Sequence, residues 1–322
     1  MRKVIKMSRS KAERLGRVML LVAQIEQARA DRGKRERSKA RAAAAIVARR
    51  AELLRAAHSN GVTLYDGPSM FTGRPIIAVA TFESDNEKTG NMITIWIMPR
   101  DISPSEALRN GSDVDVCNHC GHRMTIDGVR HTRTCYVNMQ VVVDRWYAFH
   151  RGEYPHVTPG TDLWRAVLAD RVSRYGGWGD IASLPFDRVQ AIAGSVANWT
   201  AYTHSAFTCD QRLRAFAMAS VETEEQYFAA VAIGWRPYRP IKHGAPLLPG
   251  EILCPGTPEA GRRTTCEACL LCNGKHGDRD RRANIGATVH GPAAQRFDPS
   301  LPRYAQPVPV QFLRSRAELV AR

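Results

Sequence analysis

Seven of the eight cysteines in this 322-residue chain fall into two groups whose spacing could hold a metal. The first lies in DVCNHCGHRMTIDGVRHTRTCYVN, residues 115 to 138. It contains Cys117 and Cys120, then Cys135 after a basic loop, with His119, His122 and His131 among them. Cysteines two residues apart can take neighbouring corners of a tetrahedral zinc, a histidine completing the set. Three thiolates can equally hold an iron–sulfur cluster that leaves one iron open to a further ligand. The second group lies in CPGTPEAGRRTTCEACLLC and comprises Cys254, Cys266, Cys269 and Cys272. Three cysteines at intervals of three, with a fourth nearby, match the ligand run of a four-iron cluster. A four-cysteine zinc site is the alternative. Iron–sulfur is the expectation for this second group. Cys209, in SAFTCDQ, reads as an inert thiol.

These cysteines are expected to be metal ligands or free thiols, because the rest of the sequence points to a reducing compartment. No apolar run approaches the roughly 18 residues that span a bilayer. The stretch from Val18 to Ala23 is too short for a signal peptide, and no small-residue cleavage site follows it. A soluble cytoplasmic protein is the expectation. The net charge is +15, of which residues 1 to 58 supply +12 from 12 Arg and 5 Lys against 5 acidic residues. The basic character thus belongs to an N-terminal extension of residues 1–61. Its Ala- and Arg-rich composition predicts helix over residues 8 to 58, with Gly33 interrupting and Ser59-Asn60-Gly61 closing it. Such an arm could attach to nucleic acid through Arg35, Arg37, Arg41, Arg49 and Arg50, or be a solvated helix with no ligand.

The elements that must position the cysteines begin at residue 62. VTLYDG and PIIAVATF read as a hairpin, and MITIWIM as a strand. The first cysteine loop follows that strand and leads into a helix from about Asn138 to Arg151. Thereafter strands and helices alternate. RVSRY, WTAYTHS, FAMASV, WRPYRPI and NIGATVHG are strands; DLWRAVLADR, PFDRVQAIAGSVAN and TEEQYFAAVAIG are helices, the last capped by Thr223 and closed by Gly234. This alternation predicts an α/β body over residues 62–291, built as a partial (β/α) barrel or an open parallel sheet. Residues 292–322 read as a peripheral Pro-rich tail, briefly helical at its end. Lys88-Thr89-Gly90 lacks the glycine spacing of a phosphate loop and reads as a solvated turn.

Parallel α/β folds gather their chemistry at the carboxyl ends of the strands. Read in that way, the strand ends offer Gly176, Gly177 and Asp180, then Thr203 and His204, Ser220 and Glu222, Arg236 and Arg239, and His290. Asp180, His204 and His290 are the candidate catalytic groups. The first cysteine loop falls on the same face.

The ordered series NEKTGNMITIWIM, GSDVDVCNHCGHR, TCYV, YGGWGD, WTAYTH, EILCP with TTCEACLLC, and VHG resembles an uncharacterised bacteriophage and bacterial protein family, over about Asn86 to Gly291. That family carries no established activity. Its turn is of a shorter Tyr-Gly-Asp-Pro type where this chain has YGGWGD. The order of parts is also similar to radical S-adenosylmethionine enzymes. These hold a cluster in the loop after the first strand of a partial barrel, and the cofactor's methionyl end on a glycine-rich turn after the next strand. The resemblance implies a cluster on Cys117, Cys120 and Cys135 and S-adenosylmethionine at Gly176 and Gly177. It further implies an auxiliary cluster on the second group, and a nucleotide or nucleic-acid-associated substrate. The spacing here is Cys-x2-Cys-x14-Cys in place of that family's Cys-x3-Cys-x2-Cys. The other reading of the same residues is a zinc-stabilised nucleic-acid-binding protein without catalysis.

Overall fold

The computed structural model describes residues 24–42, 44, 45, 48, 52, 60–83, 86–261, 264–291, 293–306 and 308. The chain divides into two units, Met1–Glu52 and Leu53–Arg322. In the first, residues 24–42 form one helix, α1, which runs through Gly33 without a break. A single glycine costs a helix only about 1 kcal/mol, which strong helix formers on both sides offset. Arg35, Arg37 and Arg41 are exposed on α1; Arg49, Arg50 and the expected C-cap at Ser59 lie outside the described residues. Gly61 opens a strand.

In the second unit, short apolar runs become strands because burying each large aliphatic side chain contributes roughly 1.5–3 kcal/mol. β1 (Gly61–Pro68), β2 (Pro75–Thr81) and β3 (Ile93–Pro99) form an antiparallel meander whose Ile76, Ile77, Val79, Ile93, Ile95 and Ile97 are all fully buried. From β3 onward every pairing in the two large sheets is parallel. The first cysteine loop contains α2 (Pro104–Asn110), the single turn α3 (Val114–Cys117) and a small hairpin, β4 (Thr125–Ile126) with β5 (Val129–Arg130). α4 (Met139–His150) and α5 (Asp162–Leu168) follow, then β6 (Val172–Tyr175) and α6 (Phe186–Ala193). β7 (Asn198–Thr200) and β8 (Tyr202–Thr203) come next, then β9 (Met218–Ser220), α7 (Glu224–Ala232) and β10 (Pro237–Ile241). β11 (Glu251–Leu253), the short α8 (Cys266–Cys269) and β12 (Asn284–Thr288) complete the order.

Two five-stranded sheets result, β1-β2-β3-β6-β7 and β11-β12-β10-β9-β8. One run of chain serves both. β7 pairs with β6 and β8 pairs with β9, and only Ala201 separates them. Its N–H donates to the Cys272 carbonyl at 2.9 Å, so the second cysteine loop occupies the break. The architecture is mixed α/β, as the alternation predicts. β11, α2, α3, α8 and the β4–β5 hairpin are additions to the expected elements; β11, α3 and α8, of three or four residues, are too short to show a period.

Two expectations are corrected. The Lys88-Thr89-Gly90 turn is not simply solvated: the carbonyls of Lys88 and Thr89 accept the N–H groups of Cys266 and Glu267 at 2.9 and 3.0 Å. Thr89 is buried there. Nor is the tail peripheral over its described part. Phe297 and Tyr304 are buried, and the Gln306 amide donates to the Ser220 carbonyl at 3.0 Å. The short helix expected at the chain end lies outside the described residues.

Candidate metal centre

Cys117 ends α3 and is buried. Cys120 follows through a turn in which its N–H donates to the Cys117 carbonyl at 3.0 Å, with Asn118 held at φ 37°. The Arg123 guanidinium braces this turn. It donates to one oxygen of Asp113 at 2.7 Å and to the carbonyls of Asn118 and Gly111 at 3.0 and 2.7 Å. The β4–β5 hairpin then brings the chain back. Its two central residues, Asp127 and Gly128, both take positive φ, as the tightest hairpin turn requires. On the return, Thr134 and Cys135 donate to the His122 carbonyl at 3.3 and 3.2 Å, which sets Cys135 beside the Cys117–Cys120 turn. Burial pushes the thiols of Cys117 and Cys135 up, and the nearby Asp113 adds to the effect on Cys117.

The glycine-rich turn after β6 runs against β3 and not away from it. Gly177 donates to the Ile95 carbonyl and Ile97 to the Trp178 carbonyl, each at 2.9 Å. A Cβ on Gly179 would stand 2.5 Å from the Ile97 carbonyl oxygen, at a φ of 85°. Gly176 also takes positive φ, 70°. The turn closes on Asp180, whose N–H donates to the Val116 carbonyl in α3 at 2.6 Å. Both Asp180 carboxylate oxygens accept main-chain N–H groups, from Ala182 at 2.9 Å and from His204 at 2.7 Å. Expected among the reacting groups, Asp180 is a brace between the glycine turn and His204.

His204 follows β8 and Glu222 follows the neighbouring β9, so the sheet order itself places them together. His204 Nε2 lies 3.1 Å from Glu222 Oε1 and 3.8 Å from Cys120 Sγ. His122 Nε2, from the first cysteine loop, lies 3.5 Å from the same Glu222 oxygen. Burial alone would raise the Glu222 carboxyl, but His204 and then His122 outweigh it and hold it down at about 2. Burial works against the His204 charge, while Cys120 and Glu222 raise it well above the ordinary imidazole range. His290 is exposed and packs instead on the Tyr136 ring, 5.2 Å between centroids.

The second group forms its own site. Cys254, Cys266, Cys269 and Cys272 line one cavity, floored by Thr200, Tyr202, Tyr238 and Ile285. Cys254 leaves β11 with its N–H on the Gly286 carbonyl of β12 at 2.8 Å, and burial pushes the Cys272 thiol up to about 12. Arg236 and Arg239, read as site groups, are both paired within the protein, Arg236 on the main chain that flanks Cys272. Arg236 donates to the carbonyls of Leu271, Gly274 and Ala283, and Arg239 pairs with Glu251 at 2.6 Å. Arg174 on β6 reaches toward both cysteine groups: it donates to the Tyr136 hydroxyl, next to Cys135, and its charge acts on Cys266. Burial raises the Cys209 thiol.

Sulfur spacing bears on which metal would fit. Thiolates at about 2.3 Å from one tetrahedral ion lie roughly 3.8 Å apart. Among the described residues, His122, His204 and Glu222 are the set of three donors whose atoms all lie within 4.8 Å of one another. Comparisons of the chain with family models, curated proteins and solved structures found no match.

Proposed function

We propose that the second unit is an iron–sulfur protein of the radical S-adenosylmethionine-like type, its parallel strands forming a partial barrel. Cys117, Cys120 and Cys135 would hold the first cluster, and Cys254, Cys266, Cys269 and Cys272 an auxiliary one. The observation that carries this reading is topological. Strands β3, β6, β7–β8 and β9 are consecutive parallel neighbours. The three-cysteine loop, the Gly176–Asp180 turn, His204 and Glu222 therefore all follow strand ends on one edge. Three cysteine ligands leave one iron of a four-iron cluster open, where a cofactor can bind and be reduced. The cofactor would bind beside the turn of Gly176 and Gly177, which need their missing side chains to pack, a Cβ standing 2.5 Å from the Gly179 carbonyl oxygen at the first and 2.6 Å from Thr94 Cγ2 at the second; a nucleotide or nucleic-acid-associated substrate fits the basic N-terminal unit. The separate reading, a zinc-stabilised nucleic-acid-binding protein, draws its support from Arg35, Arg37 and Arg41, exposed along α1.

Iron, acid-labile sulfide and zinc measured on anaerobically purified protein decide between the two. The expected result is a brown protein with matched iron and sulfide, which loses part of both on Cys135→Ala. A colourless protein that carries zinc in both cysteine groups overturns the proposal.

A further inference from the structure

His122, His204 and Glu222 come from three different parts of the chain: the loop after β3, the end of β8 and the end of β9. Their donor atoms nonetheless meet at one buried point. Glu222 is 2% exposed, and its Oε1 makes no hydrogen bond, although two imidazole nitrogens lie 3.1 and 3.5 Å away. A buried carboxylate oxygen that faces two imidazoles without an aligned hydrogen bond asks for an explanation. One nitrogen of each imidazole and one Glu222 oxygen all lie within 4.8 Å of one another. That is how ligands stand around an ion.

The surroundings are those of ligands held in place. His122 is fixed through its other nitrogen, Nδ1, which is 2.9 Å from Thr134 Oγ1, and that hydroxyl is in turn 2.7 Å from the Tyr304 hydroxyl. Its ring stacks on Phe297, 5.5 Å between centroids. The second Glu222 oxygen accepts the Gln306 amide at 3.3 Å. The His204 main chain is anchored by Asp180. Outer partners of this kind orient imidazole and carboxylate ligands in metal sites and set which ring nitrogen is free to bind.

We propose that His122, His204 and Glu222 bind a single divalent transition-metal ion, of which zinc is the representative, at a site beside the first cysteine loop. Two imidazoles and one carboxylate are a donor set that binds such an ion and leaves a further position open. Cys120 Sγ lies 3.8 Å from His204 Nε2, so the first cysteine turn borders the site. Glu222→Gln separates this site from a zinc held by the cysteines and a histidine, a set to which Glu222 does not belong.

The test uses the full chain, incubated with zinc, desalted and analysed for zinc, iron and sulfide alongside Glu222→Gln and His122→Asn. Each variant is expected to retain one zinc per chain fewer than the parent, with iron and sulfide unchanged. Added zinc should raise the melting temperature of the parent beyond any rise in the variants, by mass action on the folded state. Equal zinc retention in the parent and in two variants that keep the parent's circular dichroism would overturn the site. So would an equal zinc-induced melting shift in all three proteins. Absence of sulfide throughout would remove the iron–sulfur reading and leave this comparison intact.

Discussion

Arg123 and Asp113 are 6% and 1% exposed at their side chains and meet at 2.7 Å under the first cysteine turn. Burial raises the Asp113 carboxyl, and Arg123 opposes that rise through a hydrogen bond and through its charge. Removing one partner of such a pair leaves the other charge buried alone and costs about 3–5 kcal/mol. Arg123→Ala should therefore lower the unfolding free energy, read from the denaturant midpoint and slope, by that amount, and it should loosen Cys117 and Cys120 because the Asn118 and Gly111 carbonyls lose their donor. Thermal or chemical denaturation checks the first effect, and metal retention the second. A neutral outcome for both would show that the turn holds its shape without the guanidinium. At this scale some residues announced themselves. The seven cysteines and His204 stand out by type and spacing. Glu222 was visible only as one polar strand end among several. Nothing in the local sequence marks Thr134, Tyr304 or Gln306, whose roles come from partners as far as 170 residues away.

The glycine turn after β6 shows what an element demands of its residues. Gly73 and Gly179 take nearly the same backbone, φ 75° and 85°, yet nothing stands within 4 Å of a Cβ at Gly73. Alanine at Gly73 should cost only the left-handed strain, about 1–2 kcal/mol. Alanine at Gly179 meets the Ile97 carbonyl as well and should cost roughly 1–3 kcal/mol more. Melting curves of the two variants give the comparison; equal losses would mean that the turn moves off β3 freely. The strands and helices of this region were legible beforehand, since apolar alternation and caps are local signals. The Thr223 cap even forms the full reciprocal box with Gln226. The β4–β5 hairpin could have been found from Ile126-Asp127-Gly128-Val129, an Asp-Gly pair between apolar residues. α8 and β11 could not, because three or four residues carry no period.

For the whole molecule, charge and chemistry divide between two units. No helix among the described residues is long and apolar enough to cross a membrane. If the basic unit anchors the protein to nucleic acid, deletion of residues 1–52 should abolish binding to duplex DNA at low salt. It should flatten the dependence of affinity on salt, since fewer counterions are released. Fluorescence anisotropy over a salt series measures this, and unchanged binding would remove the arm from any such role. Sequence by itself determined the two cysteine groups, the uneven charge and the α/β alternation, because composition, spacing and period are properties of neighbours along the chain. Tertiary structure decided the rest. It set which strands lie side by side, so that His204 and Glu222 meet, and it returned the tail to wall His122. It also kept the seven cysteines as two sets with Arg174 between them, because contacts across the sheet depend on strand order and register, which no local pattern encodes.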